Sequence, residues 1–221
     1  MGLKFGQKLI DKIRGKNKLY LNEEQNGYLS EIYWANIFRD SIQDSAWLKN
    51  KSFSPGRWAI NYIGLYVLYR ILNDFKPKSI LECGLGQSSK MTIQYAKHFN
   101  SKLNIFEHNL SWIEFFKNNI PDSNTYIKHL DLETVNILGQ ESLTYKNFKQ
   151  QINDEKFDFI FIDGPYGSDN YARSQLINLV NNLEKSFAVI MDDYERKGEQ
   201  ETVELFEEKL KLEEVKYLKQ I

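Results

Sequence analysis

The sequence predicts an α/β protein in which a mostly parallel, doubly wound sheet follows an N-terminal helical extension. Strand-like and helix-like segments alternate from residue 79 onwards, and this alternation is typical of right-handed βαβ units. The segments 157–162 and 187–191 are almost wholly apolar, as expected of central strands that are covered on both faces. The segment 79–89 joins an apolar strand to a helix start through Gly84 and Gly86, the kind of turn at which such sheets bind nucleotide-like ligands.

Length and composition bound the organisation and exclude several classes of protein. The 221 residues suit one domain over 55–221, preceded by an extension over 1–54. A formal net charge of −1 argues against a general nucleic-acid binder. The single cysteine, Cys83, excludes an internal disulfide framework and a multi-cysteine metal site. No secretory signal or membrane-spanning segment is evident, so a cytoplasmic protein is expected.

The extension is predicted to be helical, and its first residues are basic. Residues 1–20 carry six positive side chains against one acid, Asp11. We expect a solvated helix or a packing arm there, and weak contact with an anionic membrane surface is the alternative. Residues 22–49 carry aromatic and aliphatic residues at near-helical spacing. Ser54 and Pro55 then suit the cap and first turn of a further helix that ends near Pro77.

From residue 79 the predicted elements follow one another with one long interruption. The segment 131–149 is the irregular connection, and it is a candidate lid. Residues 215–221 are expected to add an edge strand to the sheet. The predicted strands cover 79–83, 103–107, 125–130, 157–162 and 186–191, and the predicted helices cover 88–99, 111–119, 142–152, 170–183 and 199–211.

Acidic residues stand at the ends of all five predicted central strands. Ligands of an open parallel sheet bind at the carboxyl ends of its strands, so these side chains are expected on one edge. One acid in such a place often only caps a helix, whereas five on one edge indicate a site. They are Glu82 at the first strand, Glu107 with His108 at the second, Asp131 at the third, Asp163 at the fourth, and Asp192 with Asp193 at the fifth.

The glycine turn favours S-adenosylmethionine over NAD as the ligand. Glu107 lies 21 residues beyond Gly86, where a carboxylate can accept hydrogen bonds from the ribose hydroxyls of either ligand. The phosphate-binding pattern Gly-x-Gly-x-x-Gly has Ser89 in place of its third glycine. Glu82 would repel a pyrophosphate but suits a cationic ligand that has an amino group and no phosphate. The predicted cofactor contacts are Glu82, Gly84, Gly86, Ser88, Glu107, His108, Asp131 and Asp163.

These motifs together resemble a known enzyme family. The pattern Glu-x-Gly-x-Gly at 82–86, followed by acidic ends of strands two, three and four, resembles class I S-adenosylmethionine-dependent methyltransferases. More narrowly, Phe-Ile-Asp-Gly at 161–164 and Val-Ile-Met-Asp-Asp-Tyr at 189–194 resemble macrocin-type sugar O-methyltransferases. Asp-Gly-Pro-x-Gly at 163–167, followed by Arg173, is also similar to polysaccharide-modifying methyltransferases. The resemblance implies a Rossmann-like sheet of order 3-2-1-4-5 plus an edge strand.

The resemblance also implies a metal ion and a set of substrate contacts. In the sugar O-methyltransferases, acids after strands four and five hold Mg²⁺, and Asp163, Asp192 and Asp193 fall on those positions. The alternative is that Asp192 and Asp193 cap a helix or pair with Arg196 and Lys197. Without a metal, Asp163 is the expected general base. The expected substrate contacts are Tyr166, Arg173 and Arg57.

The expected activity is methylation of a hydroxyl on a small or saccharide-linked acceptor, in the biosynthesis of a surface polysaccharide such as capsule or lipopolysaccharide. A phosphate-type or an amine acceptor is the alternative within the class. Alternatives from other classes are a non-catalytic partner protein that binds S-adenosylmethionine and an NAD-dependent enzyme. An enzyme that methylates amino groups of nucleic acids would carry Pro in place of Gly164, and no nucleic-acid partner is expected.

Overall fold

The computed structural model describes residues 23–56, 59–120 and 126–219. Within them, five parallel strands form a central sheet, and two further strands form an antiparallel hairpin. The central sheet has the order β3-β2-β1-β6-β7 and the hairpin is β4-β5, where β1 is Ser79–Cys83, β2 Lys102–Glu107, β3 Ile127–His129, β4 Leu132–Ile137, β5 Gln140–Tyr145, β6 Phe157–Ile162 and β7 Leu183–Met191. Counted along the central sheet, this is the expected order 3-2-1-4-5, and the predicted Rossmann-like fold is confirmed.

The helices flank the sheet on both faces. They are α1 Glu23–Ile42, α2 Tyr62–Arg70, α3 Gln87–Phe99, α4 Leu110–Asn119, α5 Phe148–Ile152 and α6 Lys197–Leu212. A π-helical turn, Ile71–Phe75, continues α2, and two 3₁₀ turns, Ser174–Asn178 and Val180–Asn182, precede β7.

Alternating strand residues supply two apolar cores, one on each face of the sheet. Ile80 and Phe159 pack on the face that is covered by α2, α3 and α4. Leu81 and Ile160, their neighbours in sequence, pack on the opposite face with the hairpin and α6. Such alternation follows because successive strand side chains point to opposite faces. The described part of the extension joins the first core through Phe38, Ile42, Trp47 and Leu48.

The register of the strands brings their carboxyl ends to one level. Cys83 is opposite both Phe106 on β2 and Ile162 on β6, and Ile162 is opposite Met191 on β7. The residues that follow these strands therefore meet at a single edge of the sheet. This edge carries the site described below.

The hairpin corrects the prediction for 131–149. The predicted irregular connection is instead the β4-β5 hairpin, and only Phe148–Ile152 of the predicted helix 142–152 is helical. Leu138 and Gly139 form its two-residue turn with φ values of 51° and 89°, the left-handed pair that a tight hairpin requires. Asn136 Oδ1 accepts a hydrogen bond from Gly139 N (2.9 Å) and fixes this turn.

Three further boundaries differ from the prediction. The helix expected from Ser54 begins at Tyr62, because Asn61 Oδ1 caps it by accepting from Gly64 N (2.8 Å). The helix expected over 170–183 is replaced by the two 3₁₀ turns, since Tyr171 and Arg173 have left-handed φ values of 46° and 57°. Residues 215–219 lie outside any strand, so the described part of 215–221 does not form the expected edge strand.

Two predictions concern residues outside the described ranges. The basic segment 1–20, with its alternative of membrane contact, lies there, and so does Arg57. Among the described residues, no helix has the length and apolar character needed to cross a membrane.

Candidate functional site

A cavity of about 410 Å³ opens at the carboxyl ends of β1, β2 and β6. Its walls come from the glycine turn after β1, the start of α4, the turn after β6 and the loop that precedes α2. Ser54 N in that loop donates to Gln87 Oε1 (3.0 Å) and ties the loop to the glycine turn. The lining residues are Ser54, Gly56, Ala59, Gly84, Leu85, Gly86, Gln87, Glu107, His108, Asn109, Trp112, Asp163, Gly164, Pro165 and Tyr166.

The two glycines of the turn do different work. Gly84 has a φ of 100°, and a Cβ there would lie 2.6 Å from the carbonyl oxygen of Asp163, so no other residue fits. This contact, together with the hydrogen bond from Asp163 N to Cys83 O (2.7 Å), joins the ends of β1 and β6. Gly86 has open space where its Cβ would be. Gly84 therefore serves packing, whereas Gly86 leaves room in the cavity for a ligand.

Two of the predicted cofactor contacts, Glu82 and Ser88, do not line the cavity. Both are fully buried. Glu82 Oε1 accepts hydrogen bonds from the hydroxyls of Ser88 (2.6 Å) and Ser89 (2.8 Å), and Glu82 Oε2 accepts one from Thr92 (2.6 Å). Burial raises the pKa of Glu82 to about 7, although the three hydroxyls oppose the shift. Glu82 thus stabilises the start of α3 through these three hydrogen bonds.

Glu107 holds the turn from the side of β2 and faces the cavity. Its carboxylate accepts hydrogen bonds from the backbone N–H groups of Leu85 (3.0 Å), His108 (2.8 Å) and Asn109 (2.8 Å). Burial alone would raise the pKa of Glu107, but these hydrogen bonds and the His108 side chain outweigh it and lower the pKa. Glu107 therefore presents a fixed, ionised carboxylate to the cavity, as a ribose-binding acid requires.

Trp112 is a wall of the cavity that sequence reasoning missed. Asn109 Oδ1 caps α4 by accepting from Trp112 N (3.1 Å). The indole Nε1–H donates to Leu85 O (2.5 Å), and the ring stacks on Phe115 at 5.2 Å between centroids. The available signal is an Asn cap directly after the Glu107-His108 strand end, with an aromatic residue three positions later.

His108 lines the cavity and Asp131 does not. His108 Nδ1 lies 3.0 Å from Glu107 Oε1, so the ring lies beside the Glu107 carboxylate. The side chain of Asp131 is 75% exposed, and its Oδ1 lies 3.8 Å from His129 Nε2. Asp131 follows β3, an edge strand of three residues.

The three acids that are predicted to hold a metal ion lie close together beside the cavity. Asp163, Asp192 and Asp193 each offer an oxygen, and these oxygens lie within 4.8 Å of one another. Burial raises the pKa of Asp163 well above its ordinary value, and repulsion from Asp192 and Asp193 adds to this against the opposing effect of Arg173. The pKa of Asp192 is raised by burial and by Asp193. Asp163 is the member of this acid cluster that lines the cavity.

Arg173, a predicted substrate contact, lies inside the acid cluster and does not line the cavity. Its side chain is only 3% exposed. The guanidinium Nη2 donates to Asp193 Oδ2 (2.6 Å) and Asp163 Oδ1 (3.3 Å). Arg196 also pairs with Asp193 (2.9 Å), as the alternative to a metal predicts, whereas Lys197 pairs with Glu201 (3.2 Å). Asp163 Oδ1 and Asp193 Oδ2 are thus already guanidinium acceptors, and this donor set does not fit Mg²⁺, which requires near-octahedral oxygen ligands.

Of the predicted substrate contacts that the structure describes, Tyr166 lines the cavity. It follows the turn after β6 and is 73% exposed at the rim. An exposed aromatic face at a rim can stack on a flat or ring-shaped ligand.

Comparison with known proteins adds one structural similarity. No protein-family model matches the chain, and no curated protein matches it. The chain is similar to the crystal structure of the SAH-bound Podospora anserina methyltransferase PaMTH1, with 15% sequence identity, coverage of 88% of each chain and a TM-score of 0.45. At that identity and TM-score, the similarity carries no argument about activity, and the assignment of the fold stands on the strand order and register.

Proposed function

We propose that this chain is an S-adenosylmethionine-dependent methyltransferase. The observation that carries the proposal is the state of the glycine turn. Gly86 N, at the start of α3, donates to Ser89 Oγ (3.0 Å), so a backbone donor that would cradle a pyrophosphate is already used. Buried Glu82 lies beneath the same helical turn. A phosphate-free nucleoside ligand is therefore favoured over NAD.

The remaining cavity residues suit the parts of such a ligand. The Glu107 carboxylate can accept the ribose hydroxyls, while Trp112 and His108 offer aromatic faces for the adenine ring. The acid cluster supplies a negative potential on the side of the cavity that Asp163 lines, which favours a sulfonium cation.

Asp163 is the proposed general base. When bound, S-adenosylmethionine supplies an electrophilic methyl group on a positively charged sulfur. Asp163 accepts the proton that the acceptor hydroxyl loses as its oxygen bonds the methyl carbon and the carbon–sulfur bond breaks. The raised pKa of Asp163 makes its carboxylate a stronger base than an ordinary aspartate. No step in this scheme requires a metal ion.

The proposed acceptor is a hydroxyl of a small or saccharide-linked molecule, in surface polysaccharide biosynthesis. The biosynthetic setting rests on the sequence resemblance alone. Two features support the acceptor type: Tyr166 offers a ring face at the rim for a sugar, and the carboxylates beside the cavity disfavour a phosphate-type acceptor by repulsion.

Calorimetry with S-adenosylhomocysteine and NAD tests the choice of cofactor. We expect the full chain to bind S-adenosylhomocysteine and not NAD. Gly86→Ala should weaken S-adenosylhomocysteine binding by about tenfold or more, because the added methyl group fills space in the cavity. The free energy of unfolding of the ligand-free variant should change by less than about 1 kcal/mol, since nothing lies within 4 Å of that methyl.

Gly27→Ala is the matched control for this experiment. Gly27 also has nothing within 4 Å of an added Cβ, but it lies on α1, away from the cavity. Its variant should bind S-adenosylhomocysteine like the wild type. Failure of the wild type to bind S-adenosylhomocysteine would contradict the proposed function.

A further inference from the structure

We infer that Arg173 is the resident cation of the acid cluster and that it keeps divalent metal ions out of the site. The inference concerns a positioning residue for the proposed reaction. Its catalytic consequence, methyl transfer without a metal ion, rests on the proposed function. Its physical content, the exclusion of an ion from Asp163, Asp192 and Asp193, does not.

One guanidinium contacts all three members of the cluster. Nη2 bonds the carboxylates of Asp193 (2.6 Å) and Asp163 (3.3 Å), and Nη1 donates to the backbone oxygen of Asp192 (2.7 Å). Nη1 also lies 3.4 Å from Ile162 O at the end of β6. A planar fork with several fixed donors is needed to reach these oxygens at once, which a lysine cannot do. Arg173 thus clamps the ends of β6 and β7 together.

The guanidinium is held from behind as well as from the front. Arg173 Nε lies 3.6 Å from Glu199 Oε1 on α6, and Glu199 is only 2% exposed. Both of these atoms are buried without a hydrogen-bond partner among the described residues, and Arg173 provides the positive charge beside the buried Glu199 carboxylate. The left-handed φ of 57° at Arg173 directs the chain into this position. Displacing the guanidinium would leave the buried Glu199 carboxylate without its cationic partner.

A metal ion would have to compete with this group for the same oxygens. An Mg²⁺ ion bound to Asp193 Oδ2 would lie within about 5 Å of Nη2, because metal–oxygen distances are about 2.1 Å. Arginine remains protonated at every accessible pH, so the repulsion cannot be relieved by loss of a proton. Arg196, on the same Asp193 oxygen, adds a second positive charge. Two of the three carboxylates, Asp163 and Asp193, therefore already have cationic partners within the chain.

Binding of Mn²⁺, measured by the loss of the free-ion electron paramagnetic resonance signal, tests the inference independently of catalysis. The full chain is titrated with and without S-adenosylhomocysteine. We expect the wild type to bind no Mn²⁺ up to millimolar concentration. Arg173→Gln removes the cation and leaves the three carboxylates, so its affinity for Mn²⁺ should be at least about tenfold higher than that of the wild type. Mg²⁺ should displace the bound Mn²⁺ in that variant.

Arg196→Gln is the matched control. It removes the exposed partner of Asp193 (51% exposed) and leaves Arg173 in place, so it should not create ion binding. Mn²⁺ binding by the wild type that is lost in Asp193→Asn would overturn the inference, as would a folded Arg173→Gln variant that binds no ion. If Arg173→Gln folds only with Mn²⁺ present, the inference is supported. If it never folds, the wild-type titration alone decides, with binding against the inference and no binding in its favour.

A metal-free cluster and a failed cofactor assignment give different results. Mn²⁺ exclusion with no binding of S-adenosylhomocysteine would leave the role of Arg173 intact and reject the methyltransferase proposal. Mn²⁺ binding together with S-adenosylhomocysteine binding would reject the role of Arg173 and leave the methyltransferase proposal intact.

Discussion

At the scale of single residues, Glu82 shows how a motif acid can serve the fold rather than the ligand. Its carboxylate lies under the first turn of α3 and accepts three hydroxyl hydrogen bonds there. Those hydroxyls replace the water that the carboxylate loses on burial, but only in part, because the pKa remains raised to about 7. The neutral form is therefore preferred in the folded protein more than in the unfolded chain.

The first prediction concerns the pH dependence of stability. The folded pKa of Glu82 lies above its ordinary value of 4.5, so its contribution to stability is fully present below pH 4.5 and is lost as the pH rises through about 7. The loss amounts to about 3 kcal/mol. Glu82→Gln mimics the neutral form. As the pH rises over this range, the free energy of unfolding of the variant should therefore increase relative to that of the wild type. Urea unfolding at a series of pH values measures the difference.

Glu208→Gln is the control for this effect. Glu208 is exposed on α6. The free energy of unfolding of its variant should change with pH as that of the wild type does. A Glu82→Gln curve that also runs parallel to the wild type would show that Glu82 is ionised in the folded protein as it is in the unfolded chain.

The second prediction concerns the proposed base. Burial is the main cause of the raised pKa of Asp163, and the charge of Asp192 is the next. Asp192→Asn removes that charge, so it should lower the pKa of Asp163. The ¹³C carboxyl resonance of Asp163, assigned with Asp163→Asn, reports this pKa without any acceptor. Exposed Asp131→Asn should leave it unchanged, and equal titration in Asp192→Asn and the wild type would show that the two acids are not coupled.

At the scale of elements, the β4-β5 hairpin supports the segment that carries Asp163 and Arg173. Tyr145 is fully buried, and its hydroxyl donates to Phe106 O (3.1 Å) beside the Gly164 turn. Ser142 Oγ donates to Tyr171 O (2.7 Å) and lies 3.1 Å from Ser174 Oγ. The hairpin is therefore a fixed support for the acid cluster.

The third prediction tests this support. Ser142→Ala removes the donor to the carbonyl of Tyr171 and leaves buried polar groups unpaired, so it should lower the free energy of unfolding by about 1–3 kcal/mol. Denaturant unfolding measures the change. Glu141→Ala, on the exposed neighbour, should stay within about 0.5 kcal/mol of the wild type. Equal free energies of unfolding of the two variants would show that the buried Ser142 hydrogen bond does not stabilise the fold.

At the scale of the whole molecule, the parallel register assembles the site. Asp163 is distant in sequence from Asp192 and Asp193, yet Cys83, Ile162 and Met191 stand at one level of neighbouring strands. Each strand then delivers its following residues to the same edge. The same geometry leaves Asp131 outside, because β3 is an edge strand of three residues.

The order of the strands was implied by the resemblance to a known family, whereas the sequence by itself determined the parallel sheet, the glycine turn and the meeting of Glu107, Asp163, Asp192 and Asp193 at one edge. These follow from local patterns, since apolar runs, glycines and strand-end acids act through neighbouring residues and through the fixed geometry of βαβ units. The hairpin escaped prediction because its strands carry few of the apolar residues that mark a strand, and its signal is the single Gly139 in a two-residue turn.

Only the tertiary structure decided which way each acid faces and what neutralises it. Glu82 turns to the hydroxyls of α3, whereas Glu107 turns to the cavity, although both end a strand. Arg173 lies 10 and 20 residues from the two carboxylates that it bonds, Asp163 and Asp193. No local pattern encodes such a contact, because charge compensation depends on burial and on the sum of all neighbouring charges, and the folded chain alone defines these.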